Sequence, residues 1–417
     1  MSTGGALMQP LAAVTPPRHM AHLVASRSYL SYQRAELQDK LKHNPYSYIQ
    51  VINPDHSRDV EEQRGTPEFF QEVRAGYEDF KSRGWLTSAP LQEWYVYRQS
   101  TEVHAWTGVV CNLDLKACAD GGLKTHEQTL EAREMLFASF LENVGFHAEP
   151  VLCARPDDAP SAVEADKVLA EVISSSAHTD FMTADGVRHE IWRVASDSEM
   201  GSRFGAAWGA CSTIYLADGH HRYASSLRLS EAHQARPGAD LMLAYVVPER
   251  DLTILGYHKE VRNLGMHPDA LDASLKTCLG CEVEETSNLD VEPSKPGQAV
   301  VLYQGRAWIL TRSKDSKEPT DADWINAQIM NRMLGIMDPR NDKRLRHLPE
   351  PNRPEGGWMA RAKAYPDRML VLIHPIPFGQ IREVADREGT LQPKSTWVEP
   401  KIRSALYIHE FGHNGAK

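Results

Sequence analysis

The most informative absences in this sequence are those of long hydrophobic runs and of excess positive charge. No stretch of the 417 residues approaches the roughly 18 consecutive apolar residues that a membrane-spanning helix needs. The formal net charge is −10, whereas a protein that follows a nucleic-acid backbone usually presents a basic surface. The composition therefore argues against membrane insertion and against nucleic-acid binding.

Cysteine is also scarce, with six in the whole chain. A long chain with few cysteines and no N-terminal apolar segment of signal-peptide length is expected in a reducing cytoplasm. Cys278 and Cys281 have C-x-x-C spacing, but a zinc site needs two more ligands at comparable spacing and none follows. We therefore expect no metal at this pair.

The motifs of the common nucleotide-binding folds are missing as well. The sequence has no G-x-x-x-x-G-K-[ST] loop, no glycine-rich kinase loop and no serine nucleophile elbow. Any phosphate chemistry must therefore come from a different arrangement of residues.

Helical and strand patterns are mixed along the chain without strict alternation, which predicts an α+β fold with mixed sheets and flanking helices. Tyr46 to Ile52 alternates aromatic and β-branched residues and predicts a strand. Asp185-Gly186 lies between two alternating runs and predicts a hairpin. The length favours two subdomains, over 21–260 and 261–417, after a loose tail over 1–20 that is rich in Ala, Gly and Pro.

The segment with the strongest chemical pattern is Asp218-Gly219-His220-His221-Arg222. A short buried-type strand precedes it and a helical pattern follows it. A helix N-terminus exposes N–H groups and a partial positive charge, Gly219 lets an anion approach the backbone, and Arg222 can bind an oxyanion through two hydrogen bonds. Cations at this end of a helix oppose its dipole unless an anion is bound, so the segment predicts an anion site.

Other interpretations of this segment remain open. Asp218 can cap the helix or hold a magnesium ion beside the phosphates. The histidines can equally be structural hydrogen-bond donors. A zinc site made by His220 and His221 is disfavoured, because neighbouring side chains on a helix point about 100° apart.

The run YLADGHHRYAS over residues 215–225 resembles the signature of the bacterial family catalogued as domain of unknown function 1015. The chain departs from that family's pattern at 26–30 and at Leu136-Phe137. Elsewhere the resemblance continues in order along nearly the whole chain, at NPYSY (44–48), YVYRQ (95–99), KTHEQT (124–129), DGVRH (185–189), IWRV (191–194), GIMDPRNDKR (335–344) and PKSTWVEPKIRS (393–404).

The Asp-Gly-His-His-Arg turn is also similar to that of free-serine kinases of the ParB/sulfiredoxin-like fold, in which the turn grips nucleotide phosphates. The resemblance implies ParB/sulfiredoxin-like core elements with large insertions, and ATP or ADP with Mg²⁺ as cofactor. It implies a small-molecule kinase acting on a hydroxylated metabolite such as serine. A nucleotide-binding regulator without turnover, and a hydrolase or lyase of a phosphorylated metabolite, are the alternatives.

The remaining candidate site residues lie in the matching segments. Glu127, beside His126, is the predicted general base, because a kinase acting on a hydroxyl needs a carboxylate to accept its proton. The structural alternative is that Glu127 only starts a helix. We expect Lys124, His126 and Glu127 to share a pocket with the segment Asp218–Arg222. The full predicted set has Glu127, His126, Asp218 and His221 as catalytic groups, Gly219, His220, His221, Arg222 and Lys124 as phosphate ligands, and Arg340, Lys343, Arg344, Lys394, Ser395 and Arg403 for substrate or charge neutralisation. Thr396 and Lys401, in the same C-terminal segment, can also grip a phosphate or a substrate carboxylate.

Overall fold

The computed structural model describes residues 6–28, 32, 34–53, 65–232, 236–277, 281–339, 341–392 and 394–412. The described chain forms two compact units. The first consists of the described residues within Met1–Thr125, Thr129–Leu252 and Pro400–Lys417, and the second of His126–Gln128 and those within Thr253–Glu399. Helices and sheets occur in both units, which confirms the predicted α+β class.

The two units differ in extent from the predicted subdomains, 21–260 and 261–417. The expected boundary between 260 and 261 falls inside the strand Tyr257–Val261, which belongs entirely to the second unit. The described residues from Pro400 onward group with the first unit, where His409–Glu410 pairs with Phe146–His147. Sequence composition reveals neither the position of this boundary nor the grouping of the residues from Pro400 onward with the first unit, because both depend on strand pairing between distant segments.

The N-terminal segment differs from the loose tail that its composition predicts. Residues 1–5 lie outside the described residues, but from Leu7 onward the chain is packed into the first unit. Met8–Gln9 pairs with the end of the strand Ala105–Asp114. Leu7, Met8 and Leu11 are buried, and these apolar side chains anchor the segment. The Ala, Gly and Pro residues around them led to the prediction of a loose tail.

A nine-stranded mixed sheet forms the framework of the first unit. Leu123–Lys124 is parallel to Ile214–Asp218, and Val151–Arg155 is parallel to Leu241–Pro248, whereas the other pairs are antiparallel. Met8–Gln9 pairs with Ala105–Asp114 off the main path. The order across the sheet is Leu123–Lys124, Ile214–Asp218, Val151–Arg155, Leu241–Pro248, Ala105–Asp114, Glu93–Ser100, Arg188–Ala195 and Thr179–Met182.

Helices and short strand pairs complete the first unit. The hairpin predicted at Asp185-Gly186 is confirmed, since it joins Thr179–Met182 to Arg188–Ala195. Val14–Thr15 pairs with Thr87–Ser88. The α-helices are Ala21–Val24, Arg34–His43, Ile49–Ile52, Pro67–Ser82, Leu115–Ala117, Glu131–Val144, Ala162–Ile173, Glu199–Gly209 and His220–Ala232, with a π-helix at Cys118–Gly122 and a 3-10 turn at Glu249–Asp251.

The strand predicted for Tyr46 to Ile52 is wrong. The chain there forms the short helix Ile49–Ile52. Tyr48 and Val51 are three residues apart, and both enter one apolar cluster with Val73 and Tyr77 of the neighbouring helix. Side chains at that spacing lie on one face of a helix. Over only seven residues, however, helical spacing cannot be distinguished from the alternation of a strand.

The main core of the first unit lies on one face of its sheet. Alternate residues of adjacent strands, such as Val109, Cys111 and Val246, are fully buried there. Phe204 and Trp208 of the helix Glu199–Gly209 pack against them. Ile214 and Leu216 of the strand Ile214–Asp218 enter the same cluster, together with Val151 and Cys153 of the neighbouring strand. This burial fixes the strand that leads into the Asp218–Arg222 segment.

The second unit is built on a six-stranded antiparallel sheet that is covered on both faces. Val301 lies in one apolar cluster and its neighbour Val300 in the other, as strand alternation requires. Thr253–Leu255 pairs separately with Trp397–Glu399. The order across the main sheet is Cys281–Thr286, Arg306–Arg312, Gln298–Tyr303, Met369–Ile373, Tyr257–Val261 and Leu345–Pro349.

The helices of the second unit are short. None of the described helices of either unit combines the length and the hydropathy that crossing a bilayer would demand. The α-helices are Pro268–Lys276, Asp321–Ile325, Gly357–Ala364 and Phe378–Asp386, with a π-helix at Asn326–Met333 and a 3-10 turn at Glu350–Asn352.

Candidate functional site

The candidate site of the first unit is the turn between a strand and a helix. The strand Ile214–Asp218 ends at the aspartate, and the helix His220–Ala232 begins two residues later. This confirms the strand–turn–helix order predicted for the segment. Gly219 alone links the two elements, so the first turn of a 13-residue helix starts directly from the sheet.

Position 219 requires a glycine for two reasons, which are its backbone conformation and the close approach of neighbouring atoms. Its φ is +103°, which side-chain-bearing residues rarely adopt. A Cβ at this position would lie 2.9 Å from Cγ1 of Val151 and 3.0 Å from Nε and Nη2 of Arg222. The bare backbone of Gly219 therefore lies directly against the Arg222 guanidinium.

Arg222 connects two carboxylates around this turn. Its Nη2 lies 3.1 Å from Oδ2 of Asp218, and its Nη1 lies 3.2 Å from Oε2 of Glu149. The other oxygen of Glu149 accepts a hydrogen bond of 2.7 Å from the Ser404 hydroxyl. Nζ of Lys401 lies 3.6 Å from Oδ1 of Asp218. The five side chains form one continuous charged network within the first unit.

The electrostatics of the network keep Asp218 ionised. Burial acts to raise the pKa of the Asp218 carboxyl, but the charges of Lys401 and Arg222, aided by His220, outweigh it and lower the pKa below its ordinary value. The Asp218 side chain is still 43% exposed. A carboxylate that is charged, oriented and partly open to solvent remains able to bind a cation or a hydrogen-bond donor.

The two histidines of the turn occupy different environments. His220 is buried, whereas His221 is half-buried. Burial lowers the pKa of His221, the nearby Arg133 lowers it further, and Glu134 opposes the shift. His221 is therefore mainly neutral at pH 7, which limits it to the uncharged imidazole roles of donor and acceptor.

Lys124 lies on the strand next to the turn's own strand. Leu123–Lys124 runs parallel to Ile214–Asp218, with Lys124 opposite Tyr215. The structure thus brings Lys124 to the sheet region that leads into the turn, three residues before Asp218. Its side chain is half-buried, and its role as a phosphate ligand stays a prediction.

His126 and Glu127 group with the second unit, although Thr125, the residue directly before them, groups with the first. His126 is buried, and its carbonyl oxygen accepts a hydrogen bond of 2.8 Å from the Leu391 amide. Glu127 helps to raise the pKa of Tyr257, after the larger effect of burial. The catalytic roles of this pair, and its convergence with the turn, stay predictions.

Arg403 is a buried cation with a counter-ion, Asp185, at the surface of the first unit. Its guanidinium donates to both carboxylate oxygens of Asp185, at 2.9 and 2.7 Å, and to the Thr183 hydroxyl at 3.3 Å. Because Arg403 is already paired at the hairpin of the first unit, the structure favours a role in holding that hairpin. Its predicted role in neutralising substrate charge stays untested.

The other basic candidates belong to the second unit or lie outside the described residues. Arg344 pairs with Asp342 at 2.7 Å, and Lys343 and Lys394 are exposed. Ser395 is buried and donates to the Gln392 carbonyl at 2.6 Å. Arg340 and Cys278 lie outside the described residues, whereas Cys281 is half-buried at the start of the strand Cys281–Thr286.

Glu149 and Ser404 belong to this network but were not predicted from the sequence. Glu149 precedes the strand Val151–Arg155, which runs antiparallel to the strand of the turn and pairs Leu152 with Asp218. That pairing brings Glu149 to the Asp218 end of the neighbouring strand. Sequence alone does not reveal which strands pair, whereas Ser404 ends a segment that already carried the family resemblance.

The sequence matches the profile of a family described as "Protein of unknown function (DUF1015)" over residues 8–335. The chain belongs to this family. No curated protein matches the sequence significantly. The family assignment agrees with the resemblance seen at the turn and in the matching segments, but the description carries no activity.

Several solved structures are similar to this chain at low identity. SbnI with a C-terminal truncation, from Staphylococcus aureus, is 11% identical with a TM-score of 0.39, over 72% of this chain and 87% of that one. A mutant of free serine kinase in complex with AMP is 12% identical with a TM-score of 0.36, over 71% and 92%. A conserved hypothetical protein from Pyrococcus furiosus is 13% identical with a TM-score of 0.34, over 71% and 95%. TM-scores this far below 0.5 do not establish a common fold, so the ParB/sulfiredoxin-like core stays a prediction and no activity is transferred.

Proposed function

We propose that this chain binds the terminal phosphate of ATP or ADP on Gly219 to Arg222 and transfers a phosphoryl group to a small hydroxylated metabolite such as serine. The observation that carries the proposal is the Arg222 guanidinium packed against the bare backbone of Gly219, at the start of a helix. A phosphate that approaches this turn beside the guanidinium can accept from the backbone N–H groups of the first helical turn and from the fork of guanidinium donors together.

The carboxylates around Arg222 support this role. Asp218 and Glu149 hold the guanidinium from two sides, so its orientation is set before a ligand arrives. Pre-organised donors lose less conformational entropy when they bind. Lys401, near Asp218, adds a second positive charge that can turn toward a phosphate. Without ligand, the two carboxylates and the two cations of the network nearly cancel in charge. An anion and a cation that bind together preserve this balance.

Magnesium fits the donor set of this turn. Mg²⁺ prefers oxygen ligands and commonly binds through one or two carboxylates plus substrate phosphates. Asp218 is ionised and partly exposed, so it is the residue that would hold the ion. When bound there, the ion would neutralise charge on the phosphates.

The general base of the proposed reaction is Glu127. Within the first unit, Glu149 is an alternative carboxylate beside Arg222, but one of its oxygens accepts from Ser404 and the other pairs with Arg222. A carboxylate with both oxygens engaged by donors is a weaker proton acceptor. Glu149 is therefore better suited to position Arg222 than to accept the acceptor hydroxyl's proton.

A ligand screen of the full chain tests this function. ATP and ADP are each added with Mg²⁺ and, separately, with serine, while thermal stability and phosphate transfer are followed. We expect a higher Tm with nucleotide, because a ligand of the native state stabilises it, and turnover only with the acceptor. Nucleotide binding without phosphoryl transfer to any acceptor would favour a nucleotide-binding regulator. The absence of any nucleotide binding at millimolar concentration would reject the kinase and favour the hydrolase or lyase.

A further inference from the structure

A buried lysine in the second unit has no counter-ion among the residues that the structure describes. Lys259, in the strand Tyr257–Val261, is only 2% exposed. Its neighbour Glu260 points to the opposite face and is paired with Arg361 and Arg368, the latter at 3.2 Å. Within the described part of the chain, the side chain of Lys259 makes no hydrogen bond or ion pair, although its backbone is paired in the sheet. The charged side chain on one face of this strand therefore has ion-pair partners, whereas the charged side chain on the other face has none among the described residues.

An unpaired ammonium at this depth is costly. Burial lowers the pKa of Lys259 to about 8, and the carboxylate of Asp323 opposes the shift without reaching ion-pair distance. At neutral pH the amine is therefore still mainly protonated. Asp323 is already an acceptor for the Thr320 hydroxyl, at 2.6 Å. A buried charge is normally paired or hydrogen-bonded, so the environment of Lys259 is incomplete.

His347 lies directly across from Lys259 on the next strand. Its Nε2 is 3.4 Å from the carbonyl oxygen of Pro339, which can only accept a hydrogen bond, so Nε2 carries the proton. Burial, then the charge of Lys259, lowers the pKa of His347 to about 4, and Lys394 acts in the same direction. The neutral ring leaves Nδ1 as an acceptor, and this buried atom has no partner among the described residues.

These groups lie near an edge of the sheet. Leu345–Pro349, which carries His347, is the last strand in the sheet order, and His347 is only half-buried. Asn326 follows Asp323 by three residues, at the start of a π-helix, and its Oδ1 is a second buried acceptor with no partner in the described chain. π-Helical segments occur frequently at functional sites.

We propose that Lys259 and His347 form a binding site for a small oxyanion that also carries a hydroxyl group, such as a hydroxycarboxylate or a hydrogen phosphate. The anionic oxygen pairs with Nζ of Lys259, and the hydroxyl donates to Nδ1 of His347. Both unsatisfied groups gain partners of the right polarity, which an anion without a donor would not provide. The site lies within the second unit and does not depend on nucleotide binding at Gly219 to Arg222.

Calorimetric titration of the full chain with glycolate and acetate tests the proposal, because the two carboxylates differ by the hydroxyl; inorganic phosphate is the third probe. We expect glycolate to bind several-fold more tightly than acetate. Lys259→Met should weaken glycolate binding roughly tenfold or more, the scale of a lost charge-assisted hydrogen bond. Lys363→Met, at an exposed lysine of the same unit, is the matched control and should bind as the wild type does.

Further variants separate this site from the nucleotide site and from a folding defect. Arg222→Ala should keep glycolate binding. His347→Leu should keep carboxylate binding but bind glycolate and acetate equally. In ¹³C-lysine-labelled wild-type protein, the resonance of Lys259 should shift on glycolate addition, which needs no variant. Equal affinity in the wild type and Lys259→Met, or no binding of any probe at tens of millimolar, overturns the proposal.

Discussion

Replacing Arg222 by alanine is the most direct perturbation of the proposed phosphate site. A hydrogen bond to a charged group contributes about 1.5–3 kcal/mol. Without ligand, Arg222 already pairs with Asp218 and Glu149 at 3.1 and 3.2 Å, and each of these partly exposed pairs contributes about 0–1 kcal/mol. If binding releases one such pair, the net loss in Arg222→Ala is about 0.5–3 kcal/mol. At 1.4 kcal/mol per factor of ten, this corresponds to a roughly 2- to 140-fold higher Kd.

The assay is isothermal titration of ATP and ADP, each with Mg²⁺, into the full chain. Arg228→Ala is the matched control, because Arg228 lies on the same helix and pairs with Glu134 at 3.1 Å. We expect the control to bind nucleotide as the wild type does, and both variants to melt within a few degrees of it. If Arg222→Ala and Arg228→Ala bind nucleotide equally well, the guanidinium does not contact phosphate and the reasoning fails.

Three further changes test other parts of the structure. Glu127→Gln should leave nucleotide affinity nearly intact and lower turnover by roughly 10²–10⁴ in a coupled kinase assay, and wild-type turnover in this variant would exclude Glu127 as the base. Asp185→Ala should lower the free energy of unfolding in urea by about 2–3 kcal/mol, because it strands the buried Arg403, whereas Asp180→Ala, at an exposed pair, should cost about 1 kcal/mol or less. Asp218 has a pKa below that of the unfolded chain, so its stabilising effect is complete above about pH 4 and is lost as the pH falls through the folded-state pKa. The stability gap between wild type and Asp218→Asn should therefore shrink between pH 7 and pH 3 in urea titrations, and a constant gap would contradict this charge assignment.

Local patterns in the sequence determined the elements that depend on near neighbours. The strand before Asp218 and the helix after Gly219 followed from an apolar run, a glycine and a helical repeat. The Asp185-Gly186 hairpin followed from turn chemistry between two alternating runs. In these cases the residues that decide the conformation lie within a few positions of each other. The helix at Ile49–Ile52 was missed because its short apolar run fits both periods, and packing on Pro67–Ser82 decided between them.

The tertiary structure alone decided which distant residues share the turn. Glu149 reaches Arg222 because two strands pair antiparallel, and Lys401 and Ser404 arrive from the far end of the chain. Arg403, one residue before Ser404, instead pairs with Asp185. The sequence by itself predicts an anion site at Asp218 to Arg222, because the residue types that favour one are contained in five consecutive residues. One of the two carboxylates that orient Arg222, Asp218, lies in that segment, whereas Glu149 comes from 73 positions away. Only long-range strand pairing and packing, which a local pattern does not encode, select Glu149.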